Sequence, residues 1–156
     1  MTRQTTRLRF LISSLVLGLV AALGILYLIV EAVTIQEPAL AGLRWPIYVS
    51  ILIGTIPWFI SVKPFMQLLT LVDKGEAYSI RTLGLLKLIR LLFASTAIYL
   101  FFGFFWLVHV TGGHPGLLLI LFAGEVVLWF VVALIATLEK VFEQGIDFRV
   151  DTELTV

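Results

Sequence analysis

The chain has 156 residues, of which 60% are hydrophobic and 13% charged, with a formal net charge of +1 and no cysteine. A soluble domain is about 45–50% apolar and about 25% charged, and one of this length has too little interior to hide the excess. A mean hydropathy of +1.08 therefore leaves an integral membrane protein and excludes a soluble enzyme, a disordered tail and a fibrous repeat. Disulfides, thiolate metal sites and a cysteine nucleophile are excluded as well, and a charge near zero gives no case for direct binding of nucleic acid.

Four apolar blocks, residues 10–30, 46–72, 91–110 and 116–138, are each long enough to cross about 30 Å of hydrocarbon. They predict an all-α membrane protein: a four-transmembrane-helix bundle over residues 1–138, followed by a helix extension and tail over 139–156. The first block follows Arg3, Arg7 and Arg9, as the apolar part of a signal peptide would. It is longer than a signal h-region and no small-residue cleavage site precedes a soluble domain, so it reads as a retained first span. Ser14, Gly18 and Ala22 recur on one of its faces every four residues, and Ser50 and Gly54 repeat the spacing in the second block. Small residues at that spacing let helices approach closely, inside the bundle or between copies of a homo-oligomer.

The connection over 31–45 carries Glu31, Glu37, Pro38, Gly42 and Arg44 and is too short for a ligand-binding domain. In the second block Pro57 and Pro64 each remove a backbone donor. Such breaks line sites in transporters and also occur in ordinary membrane helices. Lys63 lies about 25 Å from the start of that block, where it is expected to snorkel to the inner surface.

The connection over 73–90 mixes Ile80, Leu83, Leu86 and Leu88 with Arg81, Lys87 and Arg90, after Ser79 as an N-cap. It reads either as an amphipathic helix lying on the inner surface or as the basic start of the third span. The turn 111–115 is short and flanked by His109 and His114. Only Glu31 and Glu37 could complete a metal site with them, so none is expected. The same groups could form a pH-sensitive contact.

Glu125 lies about 14 Å into the fourth block, near the midplane, where a carboxylate must face the bundle interior or be neutral. It is a candidate ion relay or ligand contact, or an acid bonded to a hydroxyl such as Thr55, Ser95 or Thr96. Its depth differs from that of Lys63 by about 11 Å, too much for a direct bridge. Beyond the block, Gly145 suits a helix C-cap. Ile146, Phe148, Val150, Leu154 and Val156 then alternate with polar residues, a period-two pattern that reads as a strand awaiting a partner.

Every basic residue except Arg44 falls before the first block, in or beside the 73–90 connection, or after the fourth block. The positive-inside rule makes that side cytoplasmic, with both termini on it. Trp45, Tyr48, Trp106 and the aromatic run 101–105 suit the outer interfacial belt.

Two segments carry a resemblance. Asp73-Lys74-Gly75-Glu76-Ala77-Tyr78-Ser79, followed by Leu83 and Ile89, resembles a K-G-x-x-F-S … L … I element. Residues 139–148, with Asp151-Thr152-Glu153-Leu154-Thr155-Val156, resemble an F-x-x-G-x-x-L … E-x-D-L-T-V/I terminus. Together they resemble the bacterial four-span family known as domain of unknown function 2975, with Tyr78 where Phe is usual and Glu153 where Asp is usual. The resemblance brings no activity and no cofactor. It implies that members often accompany a small helix-turn-helix regulator.

No phosphate loop, zinc-protease helix or nucleophile elbow is present. The expected role is a regulatory or scaffold membrane protein that meets a cytoplasmic partner through Tyr78, Ser79, Arg81, Phe148, Val150, Leu154 and Val156. The alternative is a small oligomeric transporter or channel using Glu125. An intramembrane enzyme would need convergent polar groups at one depth, which one Glu with scattered Ser and Thr does not supply.

Overall fold

The computed structural model describes residues 3–155. The chain folds into four long helices: α1 (Arg3–Gln36), α2 (Arg44–Asp73), α3 (Ile80–Thr111) and α4 (Pro115–Leu154), with a 3-10 turn at Pro38–Leu43 between the first two. All four are long and apolar enough to cross a membrane. Each helix packs chiefly on its neighbour in the chain, and the most extensive packing is between α3 and α4.

The bundle has two ends. The loop end holds the turns between α1 and α2 and between α3 and α4. The terminal end holds the start of α1, the α2–α3 turn and the last turns of α4, and there Arg9 of α1 donates to Thr70 Oγ1 of α2 at 3.3 Å. One core cluster joins Leu86, Ile89, Phe93 and Ala97 of α3 to Leu128 and Ile135 of α4, with Trp58, Phe65 and Leu68 of α2 against it. A smaller cluster of Val30, Ile47, Tyr48 and Leu107 ties α1, α2 and α3 together near the loop end. Most other large apolar side chains face outward, as expected where lipid rather than water is the surrounding solvent and close packing drives helix association.

Several expectations change. The 73–90 connection is not a separate surface helix, because α3 runs unbroken from Ile80 and its basic residues form its first turns. Pro57 and Pro64 sit inside α2 without ending it. Tyr48 is not in a lipid-facing belt. It is buried, its ring stacks on Tyr27 at a centroid distance of 4.7 Å, and its hydroxyl donates to the Tyr27 carbonyl at 3.0 Å.

The largest correction concerns the tail. Residues 146–154 form no strand; they continue α4 as helix, and no strand occurs among the described residues. The alternation misleads because a four-residue repeat is also a multiple of two. Phe142, Ile146, Val150 and Leu154 stand four apart and make one stripe on a helix. A helix that leaves a span is already nucleated and gains a bond for each residue added, whereas a lone strand has no ladder. The i,i+4 pair Arg149–Glu153, at 3.7 Å, lies along this extension.

Candidate functional site

The terminal end of the α3–α4 pair contains the most constructed local geometry. α2 ends in a Schellman motif: Gly75 N–H bonds the Val72 carbonyl at 3.1 Å and Glu76 N–H bonds that of Leu71 at 2.9 Å. Gly75 takes φ +73, a left-handed conformation that costs a residue with a Cβ about 1–2 kcal/mol. α3 then starts at Ser79, whose Oγ accepts from the Thr82 amide at 3.3 Å. The fully buried Thr82 hydroxyl donates back to the Glu76 carbonyl at 3.2 Å. The turn is therefore closed at both ends by its own hydrogen bonds.

From this turn Tyr78 reaches across to α4. Its ring lies on Phe142, with centroids 5.3 Å apart. It also lies over Gly145, where an added Cβ would come within 2.6 Å of two ring carbons. Gly145 is thus not a C-cap: it lies inside α4 and is the gap into which Tyr78 fits. Farther into the bundle, Arg90 Nη1 meets Glu139 Oε2 at 2.6 Å. Glu139 is 4% exposed, and its carboxylate oxygens make no hydrogen bond of good geometry among the described residues. Among the described residues, Arg90 is the cation that pairs with it.

The sequence-derived partner candidates are thus sorted. Tyr78 sits beside the Phe142–Ile146 face, and Val150 and Leu154 continue that stripe outward, exposed. Ser79 is used in the cap. Arg81 is exposed on the first turn of α3. Phe148 is exposed but turned about 200° from Val150, on the opposite side of the helix. Val156 lies outside the described residues. The Arg90–Glu139 pair was not singled out from the sequence. Its signal was present: Arg90 directly precedes the third apolar block and Glu139 directly follows the fourth, so antiparallel spans put them at one depth.

The other candidates do not converge. Glu125 is half-buried and its Oε1 accepts from Trp129 Nε1, one turn along the same helix, at 2.6 Å. The hydroxyls of Thr55, Ser95 and Thr96 bond carbonyls of their own helices instead. Lys63 is exposed on α2 and makes no ion pair with Glu125. Gly54 receives Tyr99, a ring carbon of which lies 3.2 Å from where a Cβ would be, and the Tyr99 hydroxyl donates to the Ser50 carbonyl at 3.1 Å. Ser14, Gly18 and Ala22 face outward from α1, with nothing within 4 Å of a Cβ at Gly18. At the loop end Arg44 pairs with Glu31, while His114 Nε2 lies 3.7 Å from Glu37 Oε1. His109 is exposed.

The family model described as protein of unknown function (DUF2975) matches residues 28–156, and the chain belongs to that family. It is also similar to the uncharacterized membrane protein YoaS of Bacillus subtilis (strain 168), with 26% identity over 125 residues, 76% of this chain and 76% of the relative. No solved structure gives a significant match.

Proposed function

We propose that this DUF2975 member is a non-catalytic membrane protein of the bacterial cytoplasmic membrane, with its terminal end in the cytoplasm, that docks a cytoplasmic protein on the extended end of α4. The observation that carries the reading is the stripe of Phe142, Ile146, Val150 and Leu154. It starts against Tyr78 and ends in exposed apolar side chains on a helix that outruns the bilayer. α4 has 40 residues, about 60 Å of helix against about 30 Å of hydrocarbon. An amphipathic helix of this kind fits an apolar groove through i, i+4 and i+8 anchors. The orientation rests on the basic residues gathered at the terminal end, Lys74, Arg81, Lys87, Arg90, Lys140 and Arg149 among them. The family resemblance makes a small helix-turn-helix regulator the natural partner.

The test is a crosslinking pull-down from native membranes. It compares the full chain with Val150→Asp/Leu154→Asp, which spoils the stripe at exposed positions without removing the helix. A soluble protein recovered with the full chain and lost with the variant is the expected result. The same set recovered from both, or only the protein itself, refutes the reading. Transport through Glu125 has less support, because its Oε1 is engaged by Trp129 of its own helix and no basic side chain pairs with it among the described residues.

A further inference from the structure

A groove between α3 and α4 at the terminal end is lined by Lys87, Arg90, Leu91, Ala94, Val132 and Ala136. Its lining changes character along its length. Lys87 and Arg90 form the end nearest the chain termini. Leu91 and Ala94 continue the same face of α3 into the apolar block, and Ala136 and Val132 do so on α4. From Lys87 to Ala94 the helix advances about 10 Å, from the level of the interface into hydrocarbon. Ala94 and Ala136 are small residues facing each other across the cleft, so the helices leave there a space that larger side chains would close.

The cations are available to a ligand. Lys87 is exposed and makes no ion pair among the described residues. Arg90 touches Glu139 through Nη1 alone and its side chain is 43% exposed, which leaves most of its five donors directed elsewhere. On α4, Lys140 lies four residues beyond Ala136 and Glu143 seven, both exposed and outside the lining of the groove. The charged side chains that line the groove are Lys87 and Arg90, the latter paired with Glu139, so the terminal end of the groove is cationic while the floor is apolar.

We propose that this groove binds an anionic glycerophospholipid, with the phosphate at Lys87 and Arg90 and an acyl chain along Leu91, Ala94, Val132 and Ala136. Charge and direction both select this occupant. Basic clefts between spans at a membrane interface hold acidic lipid head groups. Here the apolar part runs from the cations toward the bilayer centre, the polarity of a lipid in its own leaflet. A soluble anion would use the mouth and ignore the floor.

The experiment uses the purified full chain in a mild detergent, titrated with dioleoylphosphatidylglycerol, dioleoylphosphatidylcholine or inorganic phosphate. Bound lipid is counted by native mass spectrometry and thermal unfolding is followed in parallel. The glycerol lipid is expected to bind at least ten-fold more tightly than the choline lipid and to raise the unfolding temperature, with phosphate neither stabilising nor competing at millimolar concentration. Lys87→Gln, an exposed change, should weaken phosphatidylglycerol binding about five-fold and leave lipid-free unfolding unchanged. Ala136→Leu should remove binding by filling the floor, and Ala94→Leu does the same from α3 if the first variant fails to fold. Equal binding of both lipids overturns the proposal, as does a preference that Lys87→Gln leaves intact. Competition by inorganic phosphate would show an anion site with no acyl groove and overturns it too. Because the chain has no cysteine, Leu91→Cys gives a single thiol. Disulfide-linked pairs that form equally with and without phosphatidylglycerol would make the groove a contact between copies and also refute a lipid there.

Discussion

Gly145 offers a test in which the sign of a mutation depends on its neighbour. In an exposed helix interior, Gly→Ala stabilises by about 1 kcal/mol, because alanine restricts the unfolded chain and favours the helix. At Gly145 the new methyl would sit 2.6 Å from two carbons of the Tyr78 ring. The ring is about half exposed, so it can swing away, but in doing so it leaves Phe142. Losing that aromatic pair costs about 0.5–1.5 kcal/mol, and residual overpacking adds about 1 kcal/mol more. Gly145→Ala alone should therefore be neutral to destabilising, by about 0–2 kcal/mol. In a Tyr78→Ala background the obstacle is gone, and the same change should stabilise by about 1 kcal/mol. The coupling energy between the two positions is then about 1–3 kcal/mol, well above the error of a double-mutant cycle. Unfolding equilibria of the four proteins in lipid bicelles measure it. If Gly145 were a helix C-cap with a left-handed backbone, alanine would destabilise in both backgrounds by the same amount. A coupling of zero would refute the packing of the 73–79 turn on α4.

Other expectations follow from the same end of the bundle. Arg90→Leu leaves the Glu139 carboxylate buried without its cation and should destabilise by about 2–3 kcal/mol, measured in the same bicelles. Replacing both residues by Met should restore most of that loss, whereas simple addition of the two single costs would speak against a direct pair. Ser79→Ala removes the acceptor that starts α3 and should cost about 1 kcal/mol, with Ser79→Asp recovering it; equal losses would show that the cap contributes little. Gly75→Ala should cost about 1–2 kcal/mol from its left-handed backbone alone, read as a shift in the same unfolding curve.

Much of the fold was legible because a bilayer makes simple demands. Spans must be long, apolar and helical, and residues 10–30, 46–72, 91–110 and 116–138 meet those demands. The Ser79 cap was also legible, since a short polar side chain ahead of an apolar helix has a local job. The tail was misread because period two and period four coincide on even-numbered positions; only the continuity of α4 with its span separates them, and continuity is not a property of a short window. Gly145 was misread for a related reason. A glycine near the end of an apolar block suits a cap, and the ring that requires its missing side chain is 67 residues away in the chain, at Tyr78.

The acidic residues show where local reasoning stops. Glu125 drew attention because a carboxylate at the midplane is costly. Its Oε1 accepts from the indole of Trp129 four residues on, within one helix, and its Oε2 is buried with no hydrogen-bond partner among the described residues, so it joins no second helix. Glu139 drew none, because an acid just past a span looks solvated. It is the more deeply buried, and it pairs with Arg90 of α3. The difference lies in reach. Arg90 can set its guanidinium at the interface while its stem lies along apolar surface, so a charge pair there needs no midplane desolvation. It can fix the register of α3 against α4 while leaving the rest of the guanidinium turned toward the groove. The register of that hairpin in turn sets Tyr78 over Gly145. The exposed end of α4 therefore continues as one helix from a hairpin whose register these contacts fix, rather than as a frayed tail.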